Sequence, residues 1–460
     1  MEGLVRSSGG EERTGPQRLA IVGATVIAGD GSAPRPGATI LIEDGRITAV
    51  DTSGAALPPG FDTLDATGRY LIPGLMDANV HLVIDAFPVT LLRYEGRYHE
   101  LAIEAAQVAL KNGITSVFDS WGPVAALVKA RDLIESGAAE GARIRLAGNI
   151  VGFGGPCSED FYPHLSHALF DYADAINDQW QQQVGPELVS MAPDQVRAAI
   201  RGHIASGIDF LKYAVTVHDP TKTPYITFSP RVQHVIVEEA RAAGLSVQTH
   251  TTSIEGIHLA IDAGVDMLQH IEVTGPVQST PPETVAHIVQ QQVAGAMLAE
   301  TDAVLEWSRI KAETEPALKF ALVSDRNQRA LIAAGANILL STDGGVFSAD
   351  TRESKLWKRL VPPEDCRLAL GEGHFHWLRA VEQKGMRPME ALMAATSRIA
   401  KAYGVDADLG TIAPGKIADL VLLDSDPLAD AAHYRRIAAV LKAGRIIDRE
   451  APPRRPLLTA

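Results

Sequence analysis

Apolar positions along this chain follow two rhythms. Near the start they fall in short, β-rich runs punctuated by Gly and Pro: Leu19–Ile27, then Ala38–Ile42, a hairpin turn at Glu43-Asp-Gly-Arg46, and Ile47–Val50. The far end repeats this texture in Lys416–Leu423 and Ala438–Ile447. The two ends are therefore expected to pair into one small sheet domain. Between them the rhythm changes to helix then strand. Helical patterns at about 97–111 and 124–136 alternate with runs at Gly113–Phe118, Ala142–Leu146, Gly207–Lys212, Gly244–His250, Gly264–His270, roughly Gln292–Leu298, and Gly335–Asp343. With the run from Tyr70 to Pro73 onward as the first, these make eight strands. Alternation implies parallel strands with right-handed crossovers, so the predicted class is α/β, a (β/α)8 TIM barrel with a small β-sandwich built from both termini. The expected organisation is a flexible N-terminal arm (1–18), the first part of the sandwich (19–70), the barrel (71–405) and the second part of the sandwich (406–460).

The polar residues of the barrel segment collect at one end of its strands. Leu71–His81 reads as a buried strand in which Asn79 and His81, two apart, project to the same side. Lys212, His250, His270 and Asp343 likewise lie at, or just past, the C-terminal ends of predicted strands, the face on which such barrels gather reactive groups. One histidine at a strand end is ordinarily a satisfied polar residue. Five strands delivering metal-compatible or basic residues to one rim point to a common site. Residues 151–190 and 345–371 are too long for plain strand-to-helix loops, and read equally as lids or as subunit contacts. Phe153 and His164 on the first of these, and Tyr213 beside Lys212, are candidates to line a pocket for an aromatic ring. His374 and His376 have metal-like spacing but precede a helix, and read as surface or helix-start residues.

Composition narrows the partners. A net charge of −14 argues against broad adhesion to nucleic acid or an anionic membrane, and leaves a small-molecule substrate as the natural partner. No run of about 18 apolar residues is present to span a membrane. Cys157 and Cys366 are the only cysteines, which provides no disulfide framework and suits a reducing cytoplasm. The first residues lack the apolar core of a secretory signal. A homo-oligomer is expected, since barrels of this kind often assemble.

Taken together, IEDGRI, LIPGLMDANVH, the lysine strand, QTH, QHIE, STDGG, AATSRIAKAYG and GTIAPGKIADLVLLD resemble the amidohydrolase superfamily of metal-dependent hydrolases over nearly the whole chain. That resemblance implies His-x-His on the first strand, a carboxylated lysine on the fourth bridging two metals, a histidine each on the fifth and sixth, and an aspartate on the eighth. His81, Lys212, His250, His270 and Asp343 match position by position. Asn79 stands where the first histidine is expected, and an amide oxygen is a weaker donor than imidazole for zinc-like ions. The resemblance thus implies one divalent ion per chain, zinc first with cobalt or manganese as alternatives. Asn79 would be a weak or substituted ligand, and the usual reason to carboxylate Lys212, a bridge between two ions, is removed. The Asn-x-His variant resembles the branch of phenylurea and thiocarbamate (molinate) hydrolases. It implies hydrolysis of the urea C–N bond of a phenylurea herbicide to an aniline, with hydroxide generated at the metal and Asp343 carrying the proton to the leaving nitrogen. A thiocarbamate hydrolase, an amide or peptide hydrolase of a natural metabolite, and a non-catalytic scaffold are the alternatives; loss of only one ligand weighs against the scaffold.

Overall fold

Both ends of the chain meet in one sheet. In the computed structural model, residues 5–6, 17–83, 89–158, 161, 171–217, 225–273, 279–315, 318–362 and 367–459 are described. The first strands are β1 (Val5–Arg6), β2 (Arg18–Val26), β3 (Arg35–Glu43), β4 (Arg46–Asp51), β5 (Asp62–Asp65) and β6 (Tyr70–Pro73). Eight more follow in the middle of the chain: β7 (Leu75–Val80), β8 (Ile114–Asp119), β9 (Arg143–Leu146), β10 (Leu211–Ala214), β11 (Val247–His250), β12 (Met267–Gln269), β13 (Ala294–Met297) and β14 (Ile338–Leu340). The last are β15 (Leu420–Leu423), β16 (Ile437–Lys442) and β17 (Arg445–Ile446).

The terminal strands form a nine-stranded sheet in the order β1-β5-β2-β6-β15-β16-β17, with β3 and β4 branching from β2. It has its own hydrophobic cluster, which includes Ile21, Ile40, Leu71, Leu420 and Leu441. Within the arm, Val5 and Arg6 pair antiparallel with Leu64 and Thr63.

The middle strands are parallel throughout and form two sheets, β7-β8-β9 and β10-β11-β12-β13-β14. Parallel bridges between Val151 and Tyr213, and between Val80 and Gly344, join the two sheets at both edges. The Val151 amide donates to the Lys212 carbonyl at 2.9 Å, and the Asp343 amide to the Asn79 carbonyl at 2.9 Å. The layout is mixed α/β with parallel strands in an order consistent with a TIM barrel, as expected. Every residue of β7, β8, β10 and β11 is buried, as expected for parallel strands covered on both faces. Helices between the strands are punctuated in the expected way: Ser253 caps Ile254–Ala263 by accepting from the Gly256 amide, and Gly264 ends it at φ 86°.

One predicted strand is two. Leu71–His81 is broken at Gly74, so that β6 pairs with β15 in the terminal sheet while β7 starts the parallel set. Gly74 is required there because an added Cβ would lie 2.2 Å from Thr115 Oγ1. His374 and His376 do open a helix, Gly373–Gln383, but they are buried and not on the surface. The helix docks across β8's preceding turn and the end of β13, so His374 Nε2 donates to the Asn112 carbonyl at 3.0 Å and His376 meets Glu300 at 3.1 Å.

Two predictions concern stability. Gly74→Ala is expected to destabilise the chain by about 1–3 kcal/mol through overpacking against Thr115, measured as a lower urea midpoint, with Thr115→Ala recovering part of the loss. Burial pushes His203 down to about 4 and His374 down to about 3, so both are neutral in the folded chain at neutral pH. The unfolded chain protonates them from about pH 6.5 downward; their contribution is therefore complete above that pH and is lost as pH falls, by at most about 1.4 kcal/mol per pH unit for each. A melting temperature that stays level from about pH 7 to about pH 4 would contradict this.

Candidate active site

Strand direction and the period-two alternation put a set of polar side chains at one mouth of the parallel strands. Asn79 and His81 come from the end of β7, Asp119 and Ser120 from β8, Lys212 from β10, His250 from β11, His270 from just past β12, and Asp343 from just past β14. His270 and Asp343 both adopt left-handed backbone, at φ 58° and 55°. Such conformations are uncommon outside glycine and concentrate where function fixes a side chain.

Four of the predicted residues are joined in a single hydrogen-bonded chain. His81 Nε2 lies 3.0 Å from Asp343 Oδ1, and Asn79 Nδ2 donates to that same oxygen at 2.7 Å. The Asn79 carbonyl oxygen accepts from the Ser120 hydroxyl, and Lys212 Nζ donates to Ser120 Oγ at 2.9 Å. His250 and His270 stand beside one another, ring centroids 4.8 Å apart, with His270 within electrostatic reach of Asp343. Burial alone would raise the Asp343 carboxyl, but the His81 hydrogen bond and the charges of His81, His270 and Lys212 hold it well below the usual carboxylate range. Burial brings Lys212 down to about 8, against the opposing pull of Asp343 and Asp119.

A second layer fixes these groups. Asp77, buried in β7, accepts from the Thr342 amide at 3.1 Å and hydroxyl at 2.6 Å, which pins the residue before Asp343. Burial raises its carboxyl to about 7. Asp119 accepts from the Leu82 and Trp121 amides and so ties the β7 and β8 exits together. Arg367 donates to Glu300 at 2.6 Å and to the Thr342 carbonyl at 3.3 Å. Burial opposes ionisation of Glu300, yet Arg367 and His376 hold it at about 2. Glu272, two residues past His270, is pushed up by burial to about 8.

Around the mouth runs an arc of aromatic rings. Trp121 meets His81 edge to face at 6.1 Å and stacks on Phe161 at 3.7 Å. Phe161 meets Phe153 at 5.8 Å, and Phe153 meets His250 at 5.5 Å. Trp121 is held in place by its indole N–H, which donates to Asn149 at 2.9 Å. Phe153, on the long excursion, thus stands beside His250. Tyr213 points away from the mouth. It alternates with Lys212, so its ring faces the outer helix layer, where its hydroxyl donates to Gln233 at 3.1 Å. His164 lies outside the described residues. Ser120, Trp121 and Asp119 were missed from sequence, although they follow a predicted strand and the same strand-end rule reaches them.

The donors suit a divalent ion in type: imidazoles and a carboxylate on converging strand ends are what a zinc-like ion takes. His81 Nδ1 is buried and has no hydrogen-bond partner among the described residues. Among those residues no three His, Cys, Asp or Glu side chains close into a shell unaided. Asn79 does not offer a free oxygen, since both ends of its amide are engaged.

Comparison with known proteins follows the same lines. The amidohydrolase family profile matches residues 70–447. The structure of phenylurea hydrolase B is 37% identical with a TM-score of 0.90, over 96% of this chain and 100% of that one. Molinate hydrolase is 37% identical with a TM-score of 0.89, over 96% and 97%. Ochratoxinase of Aspergillus niger is 25% identical over 437 residues, 91% of this chain and 84% of its own. With the strand-end donors, the parallel strand order and a profile spanning most of its length in agreement, the chain belongs to the amidohydrolase family and is a hydrolase of C–N bonds.

Proposed function

We propose that this enzyme hydrolyses the urea C–N bond of phenylurea herbicides of the diuron and linuron type and releases the aniline. The observation that carries this reading is the aromatic arc of Trp121, Phe161 and Phe153 between His81 and His250, a surface matched to an aryl ring beside the reactive groups. Likeness to phenylurea hydrolase B supports it. A thiocarbamate substrate is the second reading, favoured by the equal likeness to molinate hydrolase.

His81, His250, His270 and Asp343 would hold a single divalent ion, zinc in the first instance. When bound, such an ion polarises the carbonyl and lowers the pKa of water beside it. Among the described residues, both side-chain hydrogen bonds to Asp343 end on Oδ1, so Oδ2 is the oxygen placed to take the proton from water and pass it to the departing nitrogen. Water adds to the urea carbon, the bond to the aryl nitrogen breaks, and the nitrogen leaves as aniline carrying that proton. The carbamic acid left behind loses carbon dioxide to give the alkylamine. The aromatic arc holds the ring and keeps bulk water from that side. The terminal sheet, branched at β2 and with its own apolar cluster, would fold over as a small β-sandwich and serve as scaffold.

The test is hydrolysis of a phenylurea and of molinate by the purified chain, before and after chelation and after readdition of zinc, cobalt or manganese. Phenylurea turnover that disappears on chelation and returns with the ion is expected; faster turnover of molinate would select the second reading, and turnover of neither would sink both. Trp121→Ala is expected to raise KM for phenylureas about 3- to 10-fold, the worth of one aromatic contact, while moving KM for an alkyl thiocarbamate less. Equal effects on both would remove the arc from substrate recognition.

A further inference from the structure

The hydrogen bonds in the site have a direction. Asp343 as a carboxylate only accepts, so the Asn79 atom 2.7 Å from Oδ1 is the amide nitrogen. The amide oxygen is thereby turned to Ser120, whose single O–H must be given to it. A hydroxyl that has given away its proton meets Lys212 Nζ as an acceptor, at 2.9 Å. The reversed amide would set two acceptors against each other at Asp343 and leave buried groups unmatched, which costs about 1–3 kcal/mol for each. Asn79 and Ser120 are fully buried and Lys212 is 1% exposed, so water does not compete for these bonds.

We propose that Ser120 is a positioning residue of the hydrolytic site: through the Asn79 amide oxygen it turns the Asn79 amide nitrogen toward Asp343, making Asn79 a donor that orients the carboxylate and not an oxygen ligand of the ion. This rests on the functional reading above, in which Asp343 serves the ion and the proton. Position 79 is then closed to a metal bond by a residue on a different strand. Lys212 supplies the far end of the chain, and its ammonium has a partner without a second ion. The Asn-x-His variant and Ser120 form one device: Ser120 needs an acceptor at 79, Asp343 needs a donor there, and the Asn79 carboxamide supplies both.

The closing experiment is a double-mutant cycle on the full chain with Ser120→Ala, Asn79→Ala and the two combined, with Ser120→Thr as the variant that keeps the hydroxyl. Two quantities are read: zinc affinity by competition with a chromophoric chelator, and the urea midpoint of the chelated protein, which needs neither metal nor substrate. Each single alanine is expected to weaken zinc about 10- to 100-fold, the usual effect of losing a group that orients a ligand. The double variant should fall no more than about twofold below Asn79→Ala, and Ser120→Thr should stay within about threefold of wild type. The urea midpoints should show the same non-additivity. Independent, multiplying losses in both quantities, or a Ser120→Ala protein that matches wild type, would overturn the proposal. A wild type that takes up no zinc but shows the coupling in urea would overturn the functional reading and support the chain through Ser120.

Discussion

A carboxylate just past β14, its side chain 25% exposed and the rest enclosed, is the constraint from which the rest of the site follows. Burial opposes ionisation of Asp343, and the charge persists because His81, Asn79, His270 and Lys212 are turned toward it. Removing one member of a buried charged pair typically costs about 3–5 kcal/mol, far more than a surface pair. The exits of β7, β10, β12 and β14 must therefore converge, and neighbours in sequence cannot do this. The bridges Val80–Gly344 and Val151–Tyr213, which join the two parallel sheets at their edges, bring those exits together. Asp77 on Thr342, and Arg367 between Glu300 and the Thr342 carbonyl, hold the aspartate from behind.

The mouth then divides into two surfaces of opposite character. One is the polar chain Lys212–Ser120–Asn79–Asp343, buried from Lys212 to Asn79 and opening at Asp343. The other is the aromatic arc, whose first ring is fixed by Asn149. A urea with an aryl group on one nitrogen has the same division, a polar carbonyl beside an apolar ring. The proposed substrate class rests on that correspondence and not on the fold, because barrels of this architecture serve many chemistries.

Much of this was legible in sequence because parallel strands buried on both faces read as apolar runs that stop where polar residues begin. That rule leads to His81, Lys212, His250, His270 and Asp343, which the fold brings to one mouth. Gly74 was not recognised as a break, since Leu-Ile-Pro-Gly-Leu-Met is apolar on both sides and only the approach of Thr115 reveals it. Tyr213 was misplaced although alternation with Lys212 places it on the opposite face. His374 and His376 read as exposed because burial there depends on Asn112 and Glu300, distant in the chain. Arg367 has no local signal at all. The residue type at position 79 announces a poorer ligand, but the job it does is set by Ser120 on another strand, and no spacing records that.

Metal content per chain, determined on protein purified in zinc-containing buffer and then freed of loosely bound ion, tests the account most directly. One equivalent is predicted, because Asn79 is committed to Ser120 and Asp343 and Lys212 would have no second ion to bridge. Two equivalents would contradict it, for an ion would then sit where the Asn79 amide is held, and the hydrogen-bonded chain could not be how the working site is built.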